Sequence, residues 1–116
     1  MTFYRDWPHM EATKHVIDEI GEERARQRNV EKWSTPHDDE HDDGAMARAA
    51  ATYAGNAGVI IDEAYEASKA PYFAPAAWPW DRKWWKPKNR RRDLVKAAAL
   101  IVAEIERLDR LSAKQS

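Results

Sequence analysis

Arg91-Arg92-Asp93-Leu94-Val95-Lys96-Ala97-Ala98-Ala99-Leu100-Ile101-Val102-Ala103-Glu104-Ile105-Glu106-Arg107-Leu108-Asp109-Arg110-Leu111-Ser112 is the stretch on which the fold turns. Leu94, Ala98, Ile101, Ile105 and Leu108 recur at 4,3,4,3 spacing, one stripe of a helix. The pattern predicts a helix from Arg91 to about Ser112. Its stripe is expected to be buried against the face that residues 46–64 present. Asp93 suits the positive end of the helix dipole, and Arg107 and Arg110 the negative end. Arg90 to Arg92 oppose that logic, so they are either solvated or placed for an anion.

Upstream, Met46, Ala49, Ala50, Tyr53, Ala57, Ile60 and Ala64 share one helical face. Asp42 or Asp43 is the expected N-cap, because a carboxylate there accepts from unpaired backbone N–H groups. Gly55 and Gly58 are poor helix formers and mark a bend or a break. Pro71 ends the segment. A first helix is expected from about Glu11 to Glu31, with Met10, Val16, Ile17 and Ile20 at helical spacing. Beyond Ile20 the same face brings up Glu23, Arg24 and Gln27. Two readings stand open: a helix end leaving the core, with Glu22 and Arg26 as a solvated pair, or a polar site flanked by apolar contacts.

The connection from Pro71 to Asn89 holds four prolines and four of the six tryptophans. Connections this long are usually functional or disordered, and its aromatic content argues against disorder. The expected fold is therefore all-α: a small bundle of three to four helices with one long Trp/Pro-rich loop, forming a single helical domain over 1–116. A chain of 116 residues can bury one core unaided. It has no cysteine, which excludes disulfides and thiolate metal sites. No apolar run approaches the ~18–20 residues of a membrane span, and the first residues lack the order of a secretory signal. The expected compartment is the cytoplasm, with no membrane partner.

The net charge of −1 argues against bulk attraction to nucleic acid, yet it hides a segregation. Residues 37–43 read His-Asp-Asp-Glu-His-Asp-Asp, five acids and no base, whereas 82–92 carry seven cations and no acid. His37, Asp38, His41 and Asp42 have the ligand chemistry of a divalent metal site, for Mg, Mn or Zn. Glu19, Glu22 and Glu23 are candidate ligands from the first helix. Carboxylates facing one another from two helices chelate an ion that holds a nucleotide's phosphates and positions a water. The plain alternative is a solvated loop that caps a helix.

Trp78-Pro79-Trp80 and Trp84-Trp85-Lys86-Pro87 interleave flat π surfaces with cations. Such a mixture stacks a base and pairs a phosphate. Trp80, Trp84, Trp85, Lys86 and Arg91, with Arg24 and Gln27 as a floor, are the candidate ligand-binding residues for a nucleotide or other small anionic ligand. Trp and Arg also anchor protein interfaces, and the loop would serve equally as a lid on the core. No nucleophile-elbow, Walker-type or dinucleotide glycine pattern is present.

Glu19-x-x-Glu22 resembles half of the acidic signature of the all-α MazG and dimeric dUTPase-like nucleotide pyrophosphohydrolases. Glu63 and Glu66 share the spacing of the other half but lack its Asp. His37-Asp38 and His41-Asp42 resemble the dyad of the HD phosphohydrolases, in a wholly polar context unlike that family's. Across about residues 17–110 the chain resembles a family of small bacteriophage- and prophage-encoded proteins without an assigned activity. The resemblance rests on Glu23-Arg24-x-Arg26-Gln27, His37-Asp38-Asp39, Trp78-Pro79-Trp80-Asp81, Trp84-Trp85-Lys86-Pro87 and the helix from Arg91 to Arg110. It implies a genetic setting, the host cell cytoplasm, and no mechanism. Relatives often carry Gly-Glu-Leu where this chain has Gly44-Ala45-Met46, and the loss of that carboxylate counts against a metal site shared with them. The expected function is a phage-type accessory protein that binds a nucleotide with a divalent metal, hydrolysis left open. The alternative is a non-enzymatic interaction protein that inhibits or redirects a host (defence) protein. A homo-oligomer is compatible with either.

Overall fold

The computed structural model describes residues 10–29, 43–59 and 76–115. These residues form three α-helices and one short 3-10 turn, with no strand among them. The expectation of an all-α protein holds. Helix α1 spans Met10–Asn29, α2 spans Ala45–Val59 and α3 spans Arg90–Gln115; the 3-10 turn is Arg82–Trp84. No described helix is long and apolar enough to cross a membrane.

Each start has a local chemical cause. Asp43 caps α2: its Oδ1 accepts from the Ala45 N–H at 3.1 Å. Gly44 follows with φ at 85°, a conformation that costs a Cβ-bearing residue. Helix α3 is capped by Asn89, whose Oδ1 accepts from the Arg92 N–H at 2.9 Å. Asp93 reaches back one turn, accepting from the Lys88 N–H at 2.8 Å. Helix α2 runs unbroken through Gly55 and Gly58 to Val59, so no break occurs there. The expected contributions of Ile60, Ala64 and Pro71 lie outside the described residues.

Helix α3 is the shared partner of α1 and α2, and it packs most extensively on α2. The α2 face is as expected: Met46, Ala49, Ala50, Tyr53 and Ala57 are buried. The α3 face is not. The stripe of Leu94, Ile101, Ile105 and Leu108 is 47–52% exposed, and Ala98 is only half-buried. The buried side is Asp93, Val95, Ala97, Ala99, Leu100, Ala103 and Arg107. Small residues on both helices explain the choice. Alanines on α2 and α3 let the backbones approach closely, and tryptophans supply the bulk. The core cluster is Ala49, Ala50, Tyr53, Trp78, Trp85, Ala97 and Leu100.

Helix α1 is likewise turned from expectation. Val16 and Ile17 are exposed, whereas Glu23, Arg24 and Gln27 are buried, as is Met10 at the start of the helix. It packs with charge instead of methylene, which works only because α3 answers each charge.

Candidate functional site

Two regions bring the candidate residues together. The first lies between α1 and α3. Glu23 is its centre: Oε1 accepts from Arg26 Nε at 2.7 Å, and Oε2 from Arg26 Nη2 at 2.8 Å and Gln27 Nε2 at 3.1 Å. Arg92 Nη2 from α3 also donates to Oε1. Burial alone would raise the Glu23 carboxyl, but the Arg26 hydrogen bond and the charges of Arg26 and Arg92 outweigh it and hold the group below the ordinary carboxylate value. Arg26 pairs with Glu23 at i,i+3, in place of the expected solvated pair with Glu22. Arg24 Nε donates to Glu106 of α3 at 3.1 Å.

One turn earlier, Glu19 takes Arg91 in a two-pronged pair, at 2.6 and 2.8 Å. That hydrogen bonding lowers the Glu19 carboxyl and raises the Arg91 guanidinium. Glu22 is exposed, lining a shallow groove with His15, Asp18, Glu19 and Arg91. Of the three expected carboxylate ligands of α1, two are therefore engaged by arginines. Among the described residues no group of three or more His, Asp or Glu is arranged to hold a metal. The expected ligands His37, Asp38, His41 and Asp42 lie outside the described residues. Arg24 and Gln27 are buried in this contact, so a ligand reaching them would have to part α1 from α3.

The second region is the tryptophan loop. Trp78 and Trp85 are core residues. The Trp85 ring lies 4.7 Å from Tyr53 and 5.0 Å from Trp78, and Tyr53 meets Trp78 edge-on at 5.5 Å. The Tyr53 hydroxyl accepts from the Lys86 N–H at 3.1 Å, tying α2 to the loop. For Trp78 and Trp85 the lid reading is the one that fits; rings this deeply buried offer little open surface for a ligand to stack on. Trp80 and Trp84 pack on the outside of this cluster and are half-buried. Trp84 carries two cations, the Lys83 and Lys86 Nζ atoms, each 5.4 Å from its ring centroid. Arg82 is exposed beside it. Below the ledge, Lys96 donates to the Lys86 carbonyl and its Nζ lies 5.6 Å from the Tyr53 ring centroid. Burial lowers the Lys96 ammonium, against the pull of Asp93 and Glu23.

Sequence reasoning missed Lys83, the Asn89 cap and the inward, alanine-rich face of α3. Glu23-x-x-Arg26-Gln27 is a visible i,i+3,i+4 polar cluster, and Arg92 was its available partner. That inward face had a signal too: α3 is apolar at nearly every position from 94 to 103, so a second stripe of smaller side chains was present. The chain matches no family model, and no curated protein or solved structure matches it.

Proposed function

We propose that the protein is a non-enzymatic interaction protein whose docking surface is the outer face of α3. One observation carries the reading. Leu94, Ile101, Ile105, Leu108 and Leu111 stay 42–52% exposed along a single helix. Scattered exposed aliphatics are ordinary, but a continuous row of this kind marks a contact surface. The arginine pairing of Glu19 and Glu23 occupies two of the carboxylates on which the expected metal-dependent nucleotide reading relied. The resemblance to phage-encoded proteins supplies the setting: a host protein that such a protein inhibits or redirects, met by this face directly or by an assembly built on it. The test is substitution. Ile101→Lys and Ile105→Lys, made singly and measured on dilute chain, should leave helicity and melting temperature near wild type. A lysine forced into a core would abolish cooperative folding, so an unfolded Ile101→Lys chain overturns this reading.

A second reading has its own observation, the two ammonium groups over Trp84. It makes the ledge of Trp84, Lys83, Lys86 and Arg82 a binding place for a nucleotide or similar anionic, planar ligand. Stacking is worth roughly 1–3 kcal/mol per base, so Trp84→Ala should weaken such binding by roughly 5- to 150-fold. Intrinsic fluorescence that ignores a panel of nucleoside mono-, di- and triphosphates, with and without Mg²⁺ or Mn²⁺, would remove this reading.

A further inference from the structure

We infer that the partner on the outer face of α3 is a second copy of this chain, paired antiparallel helix to helix. The inference rests on the proposed reading of that face as a docking surface. Three properties of the row point to a like helix rather than to an unrelated surface. The first is its period. Leu94, Ala98, Ile101, Ile105, Leu108 and Ser112 alternate steps of four and three. A strict 3.5-residue repeat makes a narrow seam, the shape that another helix with the same repeat fills by interdigitation. A helix burying its stripe in a globular core shows a broader stripe; α3 has that broader face too, and turns it to α1 and α2.

The second property is the volume along the seam. In a parallel pair each residue meets its own counterpart. Ala98 then faces Ala98 and Ser112 faces Ser112, leaving two underfilled layers among four large ones. In an antiparallel pair centred near Ala103, Leu94 faces Ser112, Ala98 faces Leu108, and Ile101 faces Ile105. Every layer then contains a large side chain, with small ones opposite the leucines. Facing positions that alternate large and small pack without voids. Antiparallel pairing also aligns the helix dipoles favourably and keeps the two Arg90–Arg92 turns at opposite ends.

The third property is area. Five half-exposed aliphatic residues offer roughly 450 Å², the size of the largest, often functional, patch on a typical monomer. Standard interfaces take about 800 Å² from each partner, of which somewhat more than half is apolar. The seam supplies that apolar share. Half-buried Val102 and Glu104 and exposed Asp109 flank it and complete the rim. The row extends over about 25 Å of helix at 1.5 Å per residue. A dimer built this way leaves one Trp84 ledge per copy free for another partner.

The full chain is measured by size-exclusion chromatography with light scattering over a concentration series, beside Ile101→Lys and Leu108→Lys. Wild type should run at twice the chain mass, and each variant should weaken self-association by roughly 30- to 1000-fold, as loss of a central contact does. Because the chain has no cysteine of its own, geometry is read from single cysteine variants. Ile101→Cys mixed with Ile105→Cys should give the disulfide-linked pair under mild oxidation. Ile101→Cys alone should give little. Efficient self-linking of Ile101→Cys, with no mixed product, means a parallel pair and overturns the inference. A wild type that stays monomeric throughout overturns it as well. If Ile101→Lys then folds normally, the docking reading survives with a different occupant; if it unfolds, both fall together.

Discussion

The two faces of α3 invert the usual division of labour. The inner face buries alanines, one leucine, one valine and two charged groups, Asp93 and Arg107. The outer face carries the larger aliphatics and leaves them half-exposed. Size, not hydrophobicity alone, separates them. Close helix approach favours small side chains, and the dispersion gained by near-contact backbones replaces the area that larger side chains would have buried. Tyr53, Trp78 and Trp85 fill the volume that the alanines leave. The difference teaches that a regular row of large aliphatics can be an external surface when a second, alanine-rich face lies on the same helix.

The largest effects should fall on the inner side. Trp85→Ala empties a core aromatic site and should cost about 3–5 kcal/mol. Leu100→Ala should cost about 2–5 kcal/mol for the same reason. Its neighbour Ile101→Ala, measured on dilute chain, should cost about 1 kcal/mol at most, because only the buried half of its side chain is lost. Denaturant melts of the three variants decide the matter. Equal losses at 100 and 101 would erase the distinction between the faces.

Much of this was legible beforehand, and the failures have one cause. The three helices, the Asp43 cap and the α2 face followed from periodicity and capping chemistry. The orientation of α3 did not, because a strong 4,3,4,3 row of large residues drew attention away from Ala97, Ala99 and Ala103. On α1, Val16 and Ile17 marked a face, while Glu23, Arg24 and Gln27 stood open between a helix end leaving the core and a polar site between apolar contacts; their burial against α3 answers to the second. Only the partner decides such a case, and Arg92 and Glu106 lie more than sixty residues away. For the ligand candidates, residue type was informative and placement was not. Trp84 and Trp85 are adjacent in sequence, yet one is half-exposed and the other is core.

The buried charge between α1 and α3 offers the next contrast. Glu23→Ala leaves the Gln27 amide and two guanidinium groups without their shared acceptor. The expected loss is about 2–4 kcal/mol, the range for breaking a largely buried charged network. Glu23→Gln keeps the shape and should lose less. The pH dependence has a definite sign. The folded carboxyl is held below the ordinary value of 4.5, so its stabilisation is fully present above that value. It is lost as pH falls through the lower folded value. Thermal melts between neutral pH and pH 3 should show an acid limb that is shallower in Glu23→Gln. An identical limb in both proteins would mean that Glu23 titrates as an ordinary carboxylate.

The smallest effect separates two adjacent arginines. Arg91 and Arg92 both reach α1, but Arg91 pairs with Glu19 in the open, whereas Arg92 pairs with Glu23 inside. The Arg91–Glu19 pair is the two-pronged one, with bonds at 2.6 and 2.8 Å. Geometry is not strength here, because water competes for both partners and salt screens them. Arg91→Ala should therefore barely move the melting temperature, and added salt should remove what difference there is. Its signature is local instead. An NMR titration of the Glu19 carboxyl should place its midpoint below 4.5 in wild type, and Arg91→Ala should return it toward that value. Arg92→Ala should reverse the pattern, lowering the melting temperature clearly and leaving the Glu19 midpoint nearly in place. Equal stability losses from the two arginines would show that the α1–α3 contact does not distinguish an inside from an outside at this turn.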